Sequence, residues 1–398
     1  MQILRTTVRA VPGPIARAKS TNLLAACLAH VLHDGYTDGL YAFLPVWQAQ
    51  FGLSYAALAI VRALYYGTMG ALQVPSDRVF RRLSPRMALS LSTLVASFGF
   101  LVMALPGSFV GLCFGLAIAG LGSSIQHPRA SLLISETYGD ASRGPLGIYN
   151  FSGDLGKAAF PALAALLLPI LSWRPVLGLM GLLGIITAVA LTSLAPAAVP
   201  VLGGESGKPV TNRGRRGFGM LTAIGALDTA TRMGYLLFLP FLIHARGGTS
   251  AIVGVALALL FIGGAFGKAT CNWLGQRLGV IGSVAATEVA TAFLITVTLF
   301  TPLLPTLVIL PFLGIVLNGT SSLLYGTVPD LAPRGDTGRA FAIFYTSVIG
   351  SGGLSPIVYG AVADHSGRTV GALAAAATAV LIIPLLVMLR RSLTSSSD

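Results

Sequence analysis

The stretch HVLHDGYTDGLYAFLP, residues 30–45, sets two histidines and two aspartates within nine residues of an otherwise apolar run. Its last seven residues, GLYAFLP at 39–45, return as GYLLFLP at 234–240, an offset of 195. GDASR at 139–143 returns as GDTGR at 335–339, an offset of 196, and Pro161 returns as Pro356, again 195. Three echoes at nearly one offset argue for an internal duplication. Of the 398 residues 54% are hydrophobic and only 10% charged, with a mean hydropathy of +0.81. Soluble domains carry about 25% charged residues, so a soluble chain of this composition would have too little polar surface. The composition indicates an integral membrane protein.

Twelve runs approach the ~20 residues that a bilayer requires. They fall near 21–46, 55–74, 87–105, 109–133, 145–171, 174–195, 218–243, 250–274, 280–301, 304–329, 338–363 and 368–390, called spans 1 to 12 below. Strand-length alternation is absent, which excludes a barrel and leaves an all-α bundle. A Gly/Pro/Arg-rich segment at 196–217 separates residues 1–195 from 218–398, so the expected domains are two six-helix halves and a linker. Two parallel six-span halves around a midplane site is a transporter arrangement.

The net charge is +13, from 26 Lys and Arg against 13 Asp and Glu. Eighteen of the bases gather in the N-terminal tail, the loops after spans 2 and 6 and the equivalent ends of the other spans; only Arg174, Arg246 and Arg368 lie in the opposite loops. The positive-inside rule therefore predicts a multi-pass inner or plasma membrane protein with both termini cytoplasmic. The charge is a topology signal and implies no nucleic-acid partner. The basic N-terminus leads into an apolar segment too long and too polar for a cleaved signal. Cys27, Cys113 and Cys271 show no paired spacing, so neither a disulfide framework nor a zinc site is expected. No phosphate-binding Gly-x-x-x-x-Gly-Lys-Ser/Thr run appears, and no hydrolase triad or metal-hydrolase spacing. Energy must come from an ion gradient or the substrate's own gradient. No enzyme activity and no cofactor are expected.

Five acids (Asp34, Asp38, Asp154, Asp228, Glu288) and five bases (Arg62, Arg129, Lys157, Arg232, Lys268) lie inside spans. Buried charges are costly and commonly functional, and their equal numbers predict ion-paired networks. At 100° per residue His30, His33, Asp34, Thr37, Asp38 and Tyr41 share an arc of ~140° on span 1. Gly35 and Gly39 lie opposite, a small-xxx-small face for close packing. The stripe reads as cavity lining more readily than as a structural network. Histidine changes charge near neutral pH, and aspartate does so when desolvated. Asp34, tuned by His30, His33 and Asp38, is the expected proton carrier. His30, His33 and Asp34 could also ligate a metal, which keeps a metal or metal-chelate carrier in play. Counting residues from the hairpin turns puts Asp38 level with Arg62, Asp228 with Lys268, and Gln126 and His127 with Asp154 and Asn150. Tyr41, Arg232 and Tyr325 complete the expected cavity lining. His127, Arg129 and Lys157 could meet an anionic substrate group, with snorkelling to the headgroups the alternative for Arg129. Glu288 receives no role.

Span 2 ends in PSDRVFRRLSPR, residues 75–86. It resembles the loop signature of the major facilitator superfamily through Asp77, Arg78, Arg81 and Arg82, with Gln73 and Phe80 where that family has glycine. A second-half copy around Gln276-Arg277-Leu278-Gly279 is weaker and lacks the acid. The resemblance implies that these residues latch the cytoplasmic helix ends as a gate. A closer resemblance is to the fosmidomycin-resistance branch of major facilitator exporters. It is carried by His30, Asp34, Leu44-Pro45, Phe51-Gly52-Leu53-Ser54, GLGSSIQHPRAS at 120–131, Arg143-Gly144, Gly153 and Gly156 before Pro161, and VADHSG at 362–367. His33, Asp38, Asp154, Lys157 and Lys268 depart from that branch. The resemblance implies a monomeric, proton-coupled secondary transporter, an antiporter exporting a small anionic organic compound or drug by alternating access. Import of an organic acid or a metal chelate is the alternative, and a receptor or channel on the same fold the rival from another class.

Overall fold

In a computed structural model the residues described are 14–80, 82–105, 108–194, 215–333 and 337–394. They form twelve helical spans with no strand among them. Eight spans are long and apolar enough on their own to cross a membrane. Spans 1, 2, 5 and 11, richer in charged, hydroxyl and glycine residues, fall short of that standard.

Most spans are single helices: Tyr55–Phe80 (span 2), Pro85–Ala104 (3), Arg143–Leu167 (5), Trp173–Ser193 (6), Arg215–His244 (7), Leu303–Thr327 (10), Thr337–Ser366 (11) and Arg368–Thr394 (12). Three interruptions depart from the simple reading. Span 1 runs as Pro14–Gly39, tightens into a 3-10 turn at Leu40–Phe43, and resumes as Leu44–Phe51. Pro45 lacks the N–H that would reach back to the Tyr41 carbonyl, and the Leu44 N–H bonds that carbonyl instead, in the 3-10 pattern. The echo in span 7 stays α-helical through Pro240, so the two copies differ locally. Span 4 is split into Phe109–Ser123 and Gln126–Tyr138. Pro128 cannot bond the Ser124 carbonyl and its ring crowds it, and the break falls there. Spans 8 and 9 share the long helix Ser250–Phe300, broken only at Gly279, whose φ of 69° favours glycine.

Span 1 packs on span 5, span 3 on spans 4 and 6, span 7 on spans 11 and 12, and span 10 on span 8 and span 9. The two halves meet where span 5 packs on span 8 and span 2 on span 11. The glycine face of span 1 closes on span 5 as expected: a Cβ on Gly35 would lie 2.3 Å from the Phe160 ring, and one on Gly156 2.0 Å from the Val31 carbonyl oxygen. Phe98, Phe114, Ile186, Phe266 and Val308 point outward, while Asp34, Asp38, Asp154 and Asp228 are buried. That inversion of the soluble pattern suits hydrocarbon outside and a polar interior.

At the end of the bundle that carries the Gly52 and Gly367 turns, the halves are pinned together. Asp364 of span 11 accepts hydrogen bonds from the backbone N–H groups of Tyr55 (2.8 Å) and Ala56 (3.0 Å), the first residues of span 2. Tyr55 also meets Phe238 and Phe241 edge-on, with ring centroids 5.7 and 5.1 Å away. The expected linker at 196–217 falls mostly within 195–214, outside the described residues. Arg81 lies outside them too, as do the side chains of Asp77 and Arg78, and Arg82 is exposed.

Candidate transport site

Asp34 stands at the centre of a charged cluster built from spans 1, 4, 5 and 8. Its Oδ2 lies 3.2 Å from His30 Nε2, one turn back on the same helix, and 3.2 Å from Lys157 Nζ of span 5. Its Oδ1 lies 3.6 Å from His127 Nε2, just past the break in span 4. The backbone must come close for this to happen. A Cβ on Gly153 would lie 2.6 Å from both Asp34 Oδ2 and His30 Nε2, so only glycine leaves the span 5 backbone room beside the pair.

The cluster continues as an alternating chain of charges. Lys157 Nζ is also 3.6 Å from Asp154 Oδ1, and Lys268 Nζ donates to Asp154 Oδ2 at 2.6 Å. Lys268 belongs to span 8, so this last link crosses from one half to the other. The side chains of His127, Lys157 and Lys268 remain 36%, 29% and 35% exposed, whereas that of Asp34 is 9% exposed. The basic members therefore face open space while the acids sit behind them.

The geometry also fixes hydrogens. His30 Nδ1 lies 2.7 Å from the Tyr149 carbonyl oxygen. A carbonyl only accepts, so Nδ1 carries the donor hydrogen. The contact of Nε2 with Asp34 Oδ2 is then an ion pair only when Nε2 holds a proton as well. The Tyr149 ring stacks on His30 with centroids 3.9 Å apart, and Gln126 Nε2 donates to the Tyr149 hydroxyl at 3.1 Å. Tyr149 was not singled out from the sequence; in an apolar helix a lone tyrosine carries no spacing signal.

Several expected neighbours are placed differently. His33 leaves the stripe for spans 3 and 4: Nδ1 is 2.9 Å from Ser123 Oγ and Nε2 3.1 Å from Thr93 Oγ1. It sits at the edge of the polar arc, where a small rotation turns it to a neighbouring helix. The expected metal set of His30, His33 and Asp34 is thereby corrected. His30, Asp34 and His127 instead bring ligand atoms within 4.8 Å of one another. The Lys157 ammonium beside Asp34 would repel a cation there, so the set fits a metal poorly. The level pairs are corrected as well: Lys268 binds Asp154 and not Asp228. Arg62 lies over the rings of Tyr41 (4.2 Å) and Tyr66 (5.1 Å), with Nη2 3.7 Å from Met233 Sδ, and makes no ion pair with Asp38 among the described residues. Asp38 is buried near Lys157, Arg62 and Arg232. Arg129, 3% exposed, is buried and does not snorkel. Asn150 is exposed and no described hydrogen bond ties it to the cluster. Tyr325 packs against Phe344 and Tyr345, facing Arg232 across the C-terminal half.

Two six-helix halves closing on a buried ion-paired centre define a membrane carrier of small molecules. The chain matches the Major Facilitator Superfamily over residues 26–227 and belongs to that family. The fosmidomycin resistance protein of Escherichia coli (strain K12) is 23% identical over 383 residues, covering 89% of this chain and 91% of that protein. A probable L-galactonate transporter of the same organism is 23% identical over 176 residues, 44% of this chain and 39% of its own length. Among solved structures, a bacterial homologue of the human lysosomal transporter Spinster, inward-facing and unoccupied, aligns with a TM-score of 0.75 and 17% identity over 96% of this chain and 98% of that one. A POT family transporter in complex with a thioalcohol-conjugated peptide gives 0.77 and 13%, over 94% and 96%. At these identities the structural likeness establishes the fold.

Proposed function

We propose that this chain is a proton-coupled secondary carrier that exports a small organic anion by alternating access, with both termini in the cytoplasm. One observation supports the coupling: His30, with Nδ1 committed to the Tyr149 carbonyl, pairs with Asp34 through Nε2 only when that nitrogen also holds a proton. Asp34 is also held by Lys157, so gain or loss of that proton changes the grip on a lysine that faces open space. Lys157, Lys268 and His127 supply the positive charge for an anion. Charge-assisted hydrogen bonds of this kind contribute roughly 1.5–3 kcal/mol each. The likeness to the fosmidomycin resistance protein over nearly its whole length supports export and makes fosmidomycin the first substrate to try.

A second reading, inward proton–anion symport, draws on the sharing of Lys157. An anion that takes Lys157 leaves Asp34 with one cation fewer, and Asp34 then binds a proton more readily. Anion and proton would reinforce each other, as in an importer of an organic acid. The similarity to a probable L-galactonate transporter agrees with that reading.

Proteoliposomes separate the two. Under an imposed pH gradient, export by antiport moves fosmidomycin against the proton flow, and symport moves an organic acid with it. Asp34→Asn is expected to preserve substrate exchange at equal pH and to lose gradient-driven accumulation. Full proton-driven transport by Asp34→Asn would refute the assignment; absence of exchange with any organic anion in the wild type would refute the carrier reading.

A further inference from the structure

We propose that Asp228 and Glu288 form a proton-binding site in the C-terminal half, separate from the Asp34 cluster and reached along the seam between spans 7 and 9. The two carboxyl groups adjoin, side chain to side chain, at hydrogen-bonding range. Two carboxylates cannot hydrogen-bond each other, because neither has a hydrogen to give. One proton therefore resides between them. Arg232, one turn further along span 7, faces Asp228 and favours the negative charge there, which puts the proton on Glu288. The Thr320 side chain of span 10 lies beside Glu288. Thr320 in turn donates to Thr287 at 2.9 Å. The other titratable groups facing the pair are Cys271 of span 8 and Tyr325 of span 10. Asp228 and Glu288 are 4% and 1% exposed, so in this conformation neither reaches the open space beside Lys157.

The duplication supplies an independent argument. At the offset of 195 Asp228 corresponds to His33 and Glu288 to Thr93. Those two residues are themselves hydrogen-bonded, at 3.1 Å. Both halves thus place a titratable group at the same seam, between spans 1 and 3 in one half and between spans 7 and 9 in the other. The C-terminal copy carries two acids where the N-terminal copy carries histidine and threonine.

The seam also offers a route. One turn beyond the pair, Thr231 and Thr291 are buried and their hydroxyls have no partner among the described residues. Further on, Tyr235 donates to Thr298 at 3.0 Å, and Arg246 reaches the Thr298 carbonyl at the end of the bundle. These residues fall at i, i+3 and i+7 on span 7 and at i, i+3 and i+10 on span 9, one face of each helix. The ladder runs toward the end that Asp364 closes, the extracellular end in the proposed orientation. A proton taken from that side would bind at a site remote from Lys157. It would escape the mutual reinforcement that favours symport at Asp34. This coupling role rests on the carrier reading, whereas the bound proton does not.

Infrared difference spectroscopy of the full chain in lipid nanodiscs tests the site with no substrate present. At neutral pH the wild type should show a protonated-carboxyl band that Glu288→Gln removes, with the melting temperature kept, because the amide still donates to Asp228. Asp228→Asn should shift the same band by changing its acceptor. Should either variant fail to fold, the other still reports. Deuterium exchange of the band should slow in the Thr231→Val/Thr291→Val variant. A spectrum unchanged by Glu288→Gln or by Asp228→Asn, or a band that persists to the alkaline limit of stability and never exchanges, would overturn the proposal. A failed fosmidomycin assay would leave it standing.

Discussion

Gly153 shows how much of this site depends on what a residue lacks. A methyl group there would press on Asp34 and His30 together, and neither can move without losing Lys157 or the Tyr149 carbonyl. Gly153→Ala should leave the protein folded, since the clash is with side chains and not with backbone. It should lower proton-driven transport strongly, with melting reduced by about 1–3 kcal/mol, the scale of overpacking. Normal transport by Gly153→Ala in the reconstituted assay would show that the His30–Asp34 contact is dispensable. At this scale the sequence was partly legible. The helical arc picked out His30, Asp34 and Asp38, because spacing along one helix fixes which residues share a face. It overreached at His33, whose position on the margin of the arc let Ser123 and Thr93 claim it. It was silent on Glu288, whose partner lies 60 positions earlier on another span.

Prolines and caps decide the behaviour of whole elements. Pro128 marks the break in span 4 that sets His127 against Asp34, and the sequence displayed that proline plainly, yet nothing in it said which way the helix would turn. Asp364 is a clearer case. A carboxylate bonded to the free N–H groups at a helix start satisfies orphan donors and complements the helix dipole. Here the cap comes from the other half of the molecule, so it stabilises the closed end as well as the helix. Losing such a cap costs about 1 kcal/mol, within a range of roughly 0.5–2. Since ~1.4 kcal/mol is a tenfold change in an equilibrium, Asp364→Ala should shift the population several-fold toward opening at that end. Labelling of a cysteine placed at Ala42, from that side of a sealed membrane, should rise accordingly while the melting temperature falls little. Unchanged labelling would mean that the aromatic contacts of Tyr55 hold the end shut unaided. The resemblance in VADHSG drew attention to this segment, but the sequence alone did not pair it with span 2.

For the whole molecule the question is how the halves communicate. The duplication made the two halves legible, because three echoes share an offset. Contacts between halves were hidden, since counting depth from a hairpin turn compares only spans that share the turn. That method paired Lys268 with Asp228, yet Lys268 faces across the interface to Asp154. The resulting chain, His30–Asp34–Lys157–Asp154–Lys268, alternates hydrogen-bonding and charged partners from span 1 to span 8. A change of proton at one end alters the competition for Lys157, and Lys157 competes with Lys268 for Asp154. In the proposed mechanism this bridge would couple protonation to separation of the halves, and its worth can be measured directly. Asp154→Asn and Lys268→Gln should each destabilise the folded carrier, because each leaves a partly buried charge without its partner. The double variant should recover part of that loss. A coupling energy of about 1–3 kcal/mol from the thermal melts would fit residues in direct contact. Transport should follow the same pattern, lost in each single variant and partly restored in the double. Strict additivity in both measurements would show that the bridge carries no coupling and that the halves communicate through span 2 and span 11 instead.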